Sequence, residues 1–329
     1  MVTSRDVARI AGVSQATVSR VLTPAAKVSP ATRNKVLAAM EQIGYLPHAG
    51  AQAMKTRRTN AIGVVVAELS NPFYSEVLDE LTRVLGSQGF RVVMWNAGGG
   101  SQSDALNAIA SFAVDGVVFT TATARSPELQ VAVKGHVPLV LINRHVEGVE
   151  CDRVLSENRS GGAAVADYLH SNGHTDAAII MGDPNATTSR DRTAGFLDRM
   201  QELGHPVPQR LRFSGEFSHD IALHVTQSLL ARKRRPSAIF CVNDNMAFGA
   251  LDAMRALKMT AADCWVIGYD DVEMAAWPSF DLTTIRQPSR EMAAEGARLI
   301  IERVRNPESP PRTIHFPWTL IERGSTSRA

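Results

Sequence analysis

Cysteine is scarce in this 329-residue chain: three residues, Cys151, Cys241 and Cys264, lie 90 and 23 positions apart. They form no C-x-x-C pair and no two histidines stand near them at ligand spacing, so reduced, buried thiols are expected rather than a disulfide framework or a zinc site. No run approaches the roughly 18 consecutive apolar residues of a membrane span, and the opening MVTSRDVARIAG lacks the apolar stretch of a signal peptide. A soluble, cytoplasmic protein without a membrane partner is expected. The motifs of common catalysts are missing as well. There is no G-x-S-x-G and no G-x-x-x-x-G-K-[ST], and Gly98, Gly99 and Gly100 lack the third-glycine spacing of a dinucleotide fingerprint. His170 and His174 are four apart, but Gly173 breaks the helix between them and no carboxylate joins them. No catalytic residue, no metal ligand and no cofactor is therefore assigned.

An excess of one charge sign is also lacking, since 35 Lys and Arg face 33 Asp and Glu for a net +2. With 44% hydrophobic and 21% charged residues the composition is that of a globular protein, and the length predicts two or three domains. The balance changes once it is divided. Residues 1–58 hold nine Lys and Arg against two acids, a net +7, which leaves −5 for the remainder. A small basic module is fused to a large acidic one.

The basic module reads as three short helices. Thr3 can cap the first, with Asp6 three residues on, and the apolar face of Val7, Ala8, Ile10 and Ala11 ends at Gly12. Ser14 caps a second, QATVSRVL; Ser29 and Pro30 precede a third, TRNKVLAAMEQI, which stops at Gly44. The link between the first two is short enough only for a tight turn, which makes a helix-turn-helix. Val18 and Val21 would seal its core, leaving Gln15, Ala16, Ser19 and Arg20 outward. Such a second helix enters the DNA major groove, where Gln and Arg can pair with adenine and guanine edges. A small helical protein-binding domain is the alternative.

From residue 61 apolar runs alternate with amphipathic helical stretches: IGVVVAEL, RVVMWNA, GVVFTTAT and PLVLIN, then after residue 158 AAIIMGD, LRFSG, AIFCVND and WVIGYDD. Strands this uniformly apolar are expected to be buried on both faces of parallel, helix-covered sheets. Two such halves predict tandem doubly wound subdomains. After LTTIRQP come one helix, REMAAEGARLIIERV, and a β-like tail, HFPWTLIERG; that helix cannot complete a third domain and would cross back to the first half, a hinged arrangement.

The chain resembles the LacI/GalR (lactose repressor) family of bacterial transcription factors. TSRDVARIAGVSQATVSRVL, VSPATRNKVLAAMEQIGYLP and AGAQAMKT carry the resemblance, which continues through NPF, the GH of SNGH, RTAGF, NDNMAFGAL, VIGYDD, LTTIRQP and IERGST. It implies an all-α helix-turn-helix headpiece over residues 1–46, a hinge helix over 47–58, and a periplasmic-binding-protein-like α/β core over 59–329. In that core the first subdomain takes about 60–157 plus 288–316 and the second about 158–287 plus 317–329.

By the same resemblance Gln15, Ala16 and Arg20 occupy base-reading positions, while Thr3, Ser14, Thr17, Ser19 and Asn34 would meet phosphates. Ala16 has no hydrogen-bonding group and offers at most an apolar contact, for instance to a thymine methyl. In the hinge, His48 stands where asparagine is common, Ala51 lies in the helix, and Met54 stands where a leucine usually wedges a base step from the minor groove. So short a segment is marginal as a helix in water, and a disordered linker is the alternative.

Phe73, Tyr74, Asn143, Asn243 and Asp270 follow strands, at the end where doubly wound sheets bind ligands, although an Asn or Asp there can equally be a helix cap. The resemblance makes Phe73, Tyr74 and Phe217 aromatic walls of an effector cleft, with Asn143, Thr188, Arg192, Asn243, Asp270 and Gln287 as its polar groups. Aromatic faces with several polar partners suit a sugar or sugar-like polyol. Purine-binding relatives carry an arginine where this chain has Ala186. The expected function is a DNA-binding regulator, a repressor controlled by that effector. As a homodimer it would bind palindromic operator DNA. A solute-binding protein and a sugar-processing enzyme are the alternatives; the first would have a signal peptide and no basic headpiece, the second a convergent acid, base or nucleophile.

Overall fold

Helix starts and stops are written into the N-terminal sequence, and the computed structural model follows them. It describes residues 2–22, 28–45, 58–66, 71–97, 102–123 and 125–327. The chain divides into two units, Met1–Asn60 and Ala61–Ala329.

In the first unit, α1 (Ser4–Ala11), α2 (Gln15–Val21) and α3 (Pro30–Gln42) surround a small core of Val7, Ala8, Val18, Val21, Val36 and Ala39. The Asp6 carboxylate accepts hydrogen bonds from the Thr3 N–H at 3.1 Å and the Thr3 hydroxyl at 2.8 Å. Those bonds, the hydroxyl's first, hold its pKa below the usual value. At the other end of α1, Gly12 takes φ 64° and the Val13 N–H reaches back to the Ala8 carbonyl at 3.0 Å. This left-handed stop is the turn of the helix-turn-helix, and glycine enters it without a Cβ clash. Ser14 then accepts from the Thr17 N–H at 3.1 Å, and Ser29 from the Thr32 N–H at 3.3 Å.

The second unit holds two six-stranded sheets. In the first, β1 (Ala61–Val66), β2 (Arg91–Asn96), β3 (Gly116–Phe119), β4 (Leu139–Ile142), β5 (Asp152–Ser156) and β11 (Thr313–Phe316) are ordered β11-β5-β4-β3-β1-β2, all parallel. Helices α4 (Pro72–Ser87), α5 (Gln102–Ala110), α6 (Pro127–Lys134) and α11 (Ser289–Arg305) cover it. Ile62, Val64 and Val66 pack into one apolar cluster and Ala61 and Val65 into another, so β1 is buried on both faces.

The second sheet runs β12-β10-β9-β8-β6-β7, from β6 (Ala177–Met181), β7 (Arg212–Ser214), β8 (Ala238–Cys241), β9 (Trp265–Asp270), β10 (Thr283–Arg286) and β12 (Thr319–Ile321). Its helices are α7 (Asn158–Ser171), α8 (Thr187–Glu202), α9 (His219–Leu230) and α10 (Asp244–Ala256). The chain passes between the sheets three times, from β5 into α7, from β10 into α11 and from β11 into β12. Each lobe is thus built from separate stretches of sequence.

Three expectations need correction. β2 is the edge strand rather than a strand buried on both faces, and Val93 and Met94 are 37% and 40% exposed. The segment SQSDALNAIASFAV reads as one helix in the sequence, but the helix stops at Ala110 and Phe112 turns out to solvent at φ 52°. β12 runs antiparallel to β10, because only Pro317 and Trp318 separate it from β11 in the other sheet. All three cysteines are free and buried. Among the described residues no helix is long and apolar enough to cross a membrane.

Candidate functional site

In the headpiece, α2 buries Val18 and Val21 and turns Gln15, Ala16 and Arg20 to solvent, with Ser19 half-buried on the same face. Gln15 is held: its Nε2 donates to the Ser4 hydroxyl of α1 at 2.9 Å. Thr3, Ser14 and Asn34 are exposed and Thr17 is half-buried. Ser14 and Thr17 also engage each other at 2.9 Å, so both are already part of the α2 cap. His48, Ala51 and Met54 lie outside the described residues.

In the core unit the polar groups gather where the strands of both sheets end. Asn71 caps α4 by accepting from the Phe73 N–H at 3.1 Å, which sets Phe73 and Tyr74 in the first helical turn, edge to face with centroids 5.6 Å apart. Asn143 follows β4 at φ 54°, a left-handed conformation that Asn tolerates better than most residues. Phe217, at φ 59°, lies against Gly182, where an added Cβ would come within 2.3 Å of its ring. Asp270 ends β9 at φ 125°. Three of the expected site residues therefore hold uncommon backbone conformations, a feature concentrated at functional sites.

One cavity is lined by Phe73, Tyr74, Asn143, Thr188, Arg192, Phe217, Asn243 and Asp270, together with Asn71 and Arg144. Gln287 stands behind it and donates to Asp270 Oδ1 at 2.7 Å. Arg192 donates from Nη1 to the same Oδ1 at 3.0 Å and to the Val242 carbonyl at 2.8 Å, and from Nε to Asn158 Oδ1 at 2.8 Å. Burial pushes the Asp270 pKa up, against the opposing pull of Arg192 and Gln287. Asn243 is both cap and candidate ligand group. Its Oδ1 accepts from the Met246 N–H at 3.0 Å, while its Nδ2 is buried without a partner. Gln287 Oε1 is likewise buried and unpartnered.

The two lobes are closed on each other. Arg144 reaches the Thr188 hydroxyl at 3.1 Å, the His145 N–H reaches the Thr187 hydroxyl at 3.2 Å, and Glu76 of α4 accepts from the Glu273 N–H at 3.0 Å. Only about 20 Å³ is left within the cavity, space for one water molecule. A larger ligand enters only if these links part. Arg144 and Asn158 were not singled out from the sequence. Asn158 joins Asn143 to Arg192 from the start of α7, and the one available signal was its place just after a strand. Among the described residues no group of three or more His, Cys, Asp or Glu could hold a metal ion.

Residues 3–48 match the model of bacterial regulatory proteins of the lacI family, and residues 166–326 match that of a periplasmic binding protein-like domain. The chain is 32% identical over 333 residues to the HTH-type transcriptional repressor PurR of Vibrio parahaemolyticus, covering 100% of this chain and 99% of that one. It is 32% identical over 329 residues to the ribose operon repressor of Escherichia coli K12, covering 99% and 100%. Among solved structures it resembles the transcriptional regulator CelR in complex with cellobiose, at 29% identity and TM-score 0.75 over 99% of this chain and 100% of that one. It also resembles the lac repressor dimer bound to operator and the anti-inducer ONPF, at 25% identity and TM-score 0.84 over 99% of both chains. The chain belongs to the LacI family of bacterial regulatory proteins, and it is a DNA-binding transcriptional regulator with an effector-binding core rather than an enzyme.

Proposed function

We propose that this chain is a cytoplasmic, homodimeric repressor that binds a palindromic operator and changes its affinity when a sugar or sugar-like polyol enters the cleft. The observation that carries the effector class is the set of buried polar groups between aromatic walls. Asn243 Nδ2 in the cavity wall and Gln287 Oε1 behind it, both in residues 2% exposed, have no protein partner, and Phe73, Tyr74 and Phe217 line the same cavity. A sugar hydroxyl supplies both a donor and an acceptor, which such groups need once desolvated. The CelR–cellobiose complex supports the same class, and Ala186, which is buried and apolar, offers no hydrogen bond to a purine.

In this reading Gln15, Ala16 and Arg20 read base edges, Thr3, Ser14, Thr17, Ser19 and Asn34 hold phosphates, and the hinge residues His48, Ala51 and Met54 act in the minor groove. Two headpieces meet half-sites about one helical turn apart. The lac repressor dimer on its operator supports this assembly. Occupancy of the cleft parts or re-seats the links of Arg144, His145 and Glu76, which moves one lobe against the other. Thermal-shift screening with sugars, sugar acids, phosphorylated sugars and nucleobases, followed by operator binding with each hit, tests the reading. Stabilisation by nucleobases alone would overturn the effector class.

A further inference from the structure

Arg144 lines the cleft without a salt bridge of its own, since the Asp270 carboxylate that feels its charge is bonded to Arg192. It follows Asn143 beyond β4 and is 5% exposed. Its Nη1 donates to the Asn143 carbonyl at 2.8 Å and the Thr188 hydroxyl at 3.1 Å, and its Nη2 to the Tyr74 hydroxyl at 3.0 Å. All three acceptors are neutral, and its buried Nε has no partner. The other buried arginine of the cleft, Arg192, has Asp270 at 3.0 Å.

The acids nearby are already committed. Asp270 is shared by Arg192 and Gln287. Asp244 accepts from the Thr284 hydroxyl at 2.6 Å and the Val272 N–H at 3.0 Å, and burial raises its pKa, which favours its neutral form. Among the described residues lining the cleft, two guanidinium groups therefore face one carboxylate. The excess of positive charge extends outward. A separate cavity of about 460 Å³ is lined by Arg125 and Arg190 together with Glu147, and its Thr187 and His145 are the chain neighbours of Thr188 and Arg144. A buried, unpaired cation is costly, and an oxyanion able to take charge-assisted hydrogen bonds from a guanidinium removes that cost.

We propose that the effector carries an anionic group, a carboxylate or a phosphate, seated on the Arg144 guanidinium. This rests on the polyol reading of the cleft and narrows it to sugar acids or sugar phosphates. Arginine suits the task because its fork of donors matches either oxyanion.

The test is calorimetric titration of the full-length protein with matched sets: ribose, ribonate and ribose 5-phosphate; glucose, gluconate and glucose 6-phosphate; galactose, galactonate and galactose 6-phosphate. Acetate and inorganic phosphate serve as anions without a sugar. At least one acid or phosphate is expected to bind tenfold or more tightly than its neutral parent, and the stronger member of that set identifies carboxylate or phosphate. In Arg144→Gln the ratio of affinities between the charged member and the neutral parent of the same set falls to about one, whatever the change common to both; Arg144→Lys, which keeps the charge, retains part of that ratio and serves if the Gln variant does not fold. A neutral sugar binding as tightly as its acid and phosphate overturns the inference and leaves the polyol reading intact. An anion advantage that survives Arg144→Gln, or acetate or phosphate binding as tightly as the sugar anions, also overturns it. No binding by any member of the three sets overturns the polyol reading itself, and this inference with it.

Discussion

Arg192 and Asp270 meet at 3.0 Å with side chains 3% and 5% exposed, and the Arg192 guanidinium lies 3.7 Å above the Tyr269 ring. Through Asn158, the Val242 carbonyl and Asp270, this one side chain ties the start of α7 and the ends of β8 and β9 together. The carboxyl ends of the second sheet are thus tied together by protein groups alone, as preorganisation of a binding site requires.

Arg192→Met leaves Asp270 buried without its cation and is expected to destabilise the core by about 3–5 kcal/mol. Urea unfolding of the core transition measures it. A change below about 1 kcal/mol would show that Asp270 takes up a proton at little cost and that the pair is not what fixes the strand ends.

Asn243→Ser separates the cap from the ligand contact. Serine keeps an acceptor for the Met246 N–H but removes the unpartnered Nδ2. Effector affinity should fall by about 1–3 kcal/mol, roughly 5- to 150-fold, while the melting temperature barely moves. Calorimetric titration beside thermal unfolding reads both quantities. A large loss of stability with unchanged affinity would make Asn243 a cap and nothing more.

The headpiece was legible in the sequence because its signals are local. Thr3 with Asp6, Gly12, Ser14, and Ser29 with Pro30 each act within about three residues, and the structure places the helix ends beside them. The cleft was legible where a residue follows an apolar strand, as Asn143, Asn243 and Asp270 do. Arg144 was not, because a charged residue after a strand is ordinarily solvated; its burial depends on Tyr74, 70 positions away, and Thr188, 44 positions away. The edge position of β2 was equally hidden. RVVMWN reads as an interior strand, and only strand order shows that nothing pairs with its outer side within the sheet.

Arg20→Ala is expected to weaken operator binding by about 1–3 kcal/mol and to affect random DNA much less, if Arg20 contacts a base. Gln15→Ala should behave similarly, since the bond to Ser4 fixes its side chain on the exposed face. Fluorescence anisotropy with operator and scrambled duplexes measures both. An equal loss on the two duplexes would reassign Arg20 to the phosphates.

His219 gives a pH signature in the core. Its Nδ1 is 2.9 Å from Asp220 and its Nε2 3.0 Å from Asp252. Burial works against its charge, but the hydrogen bonds to Asp220 and Asp252 outweigh it and the pKa is raised above 6.5. The protonated ring therefore stabilises the folded core fully below about pH 6.5, and the contribution fades as pH rises through the higher folded value. His219→Gln should be less stable than the wild type at pH 5.5, with the gap narrowing by pH 8.5. A gap that widens with pH would mean that the ring is held neutral.

The central claim is that cleft occupancy sets operator affinity. Its most direct measurement is anisotropy titration of the operator duplex at fixed salt, with and without a saturating cleft ligand, for the wild type and Asn243→Ser. The account predicts a 5- to 150-fold change in operator affinity, a coupling of about 1–3 kcal/mol. In Asn243→Ser the midpoint should move to higher ligand concentration. Operator affinity that stays the same when calorimetry shows the cleft filled would contradict it.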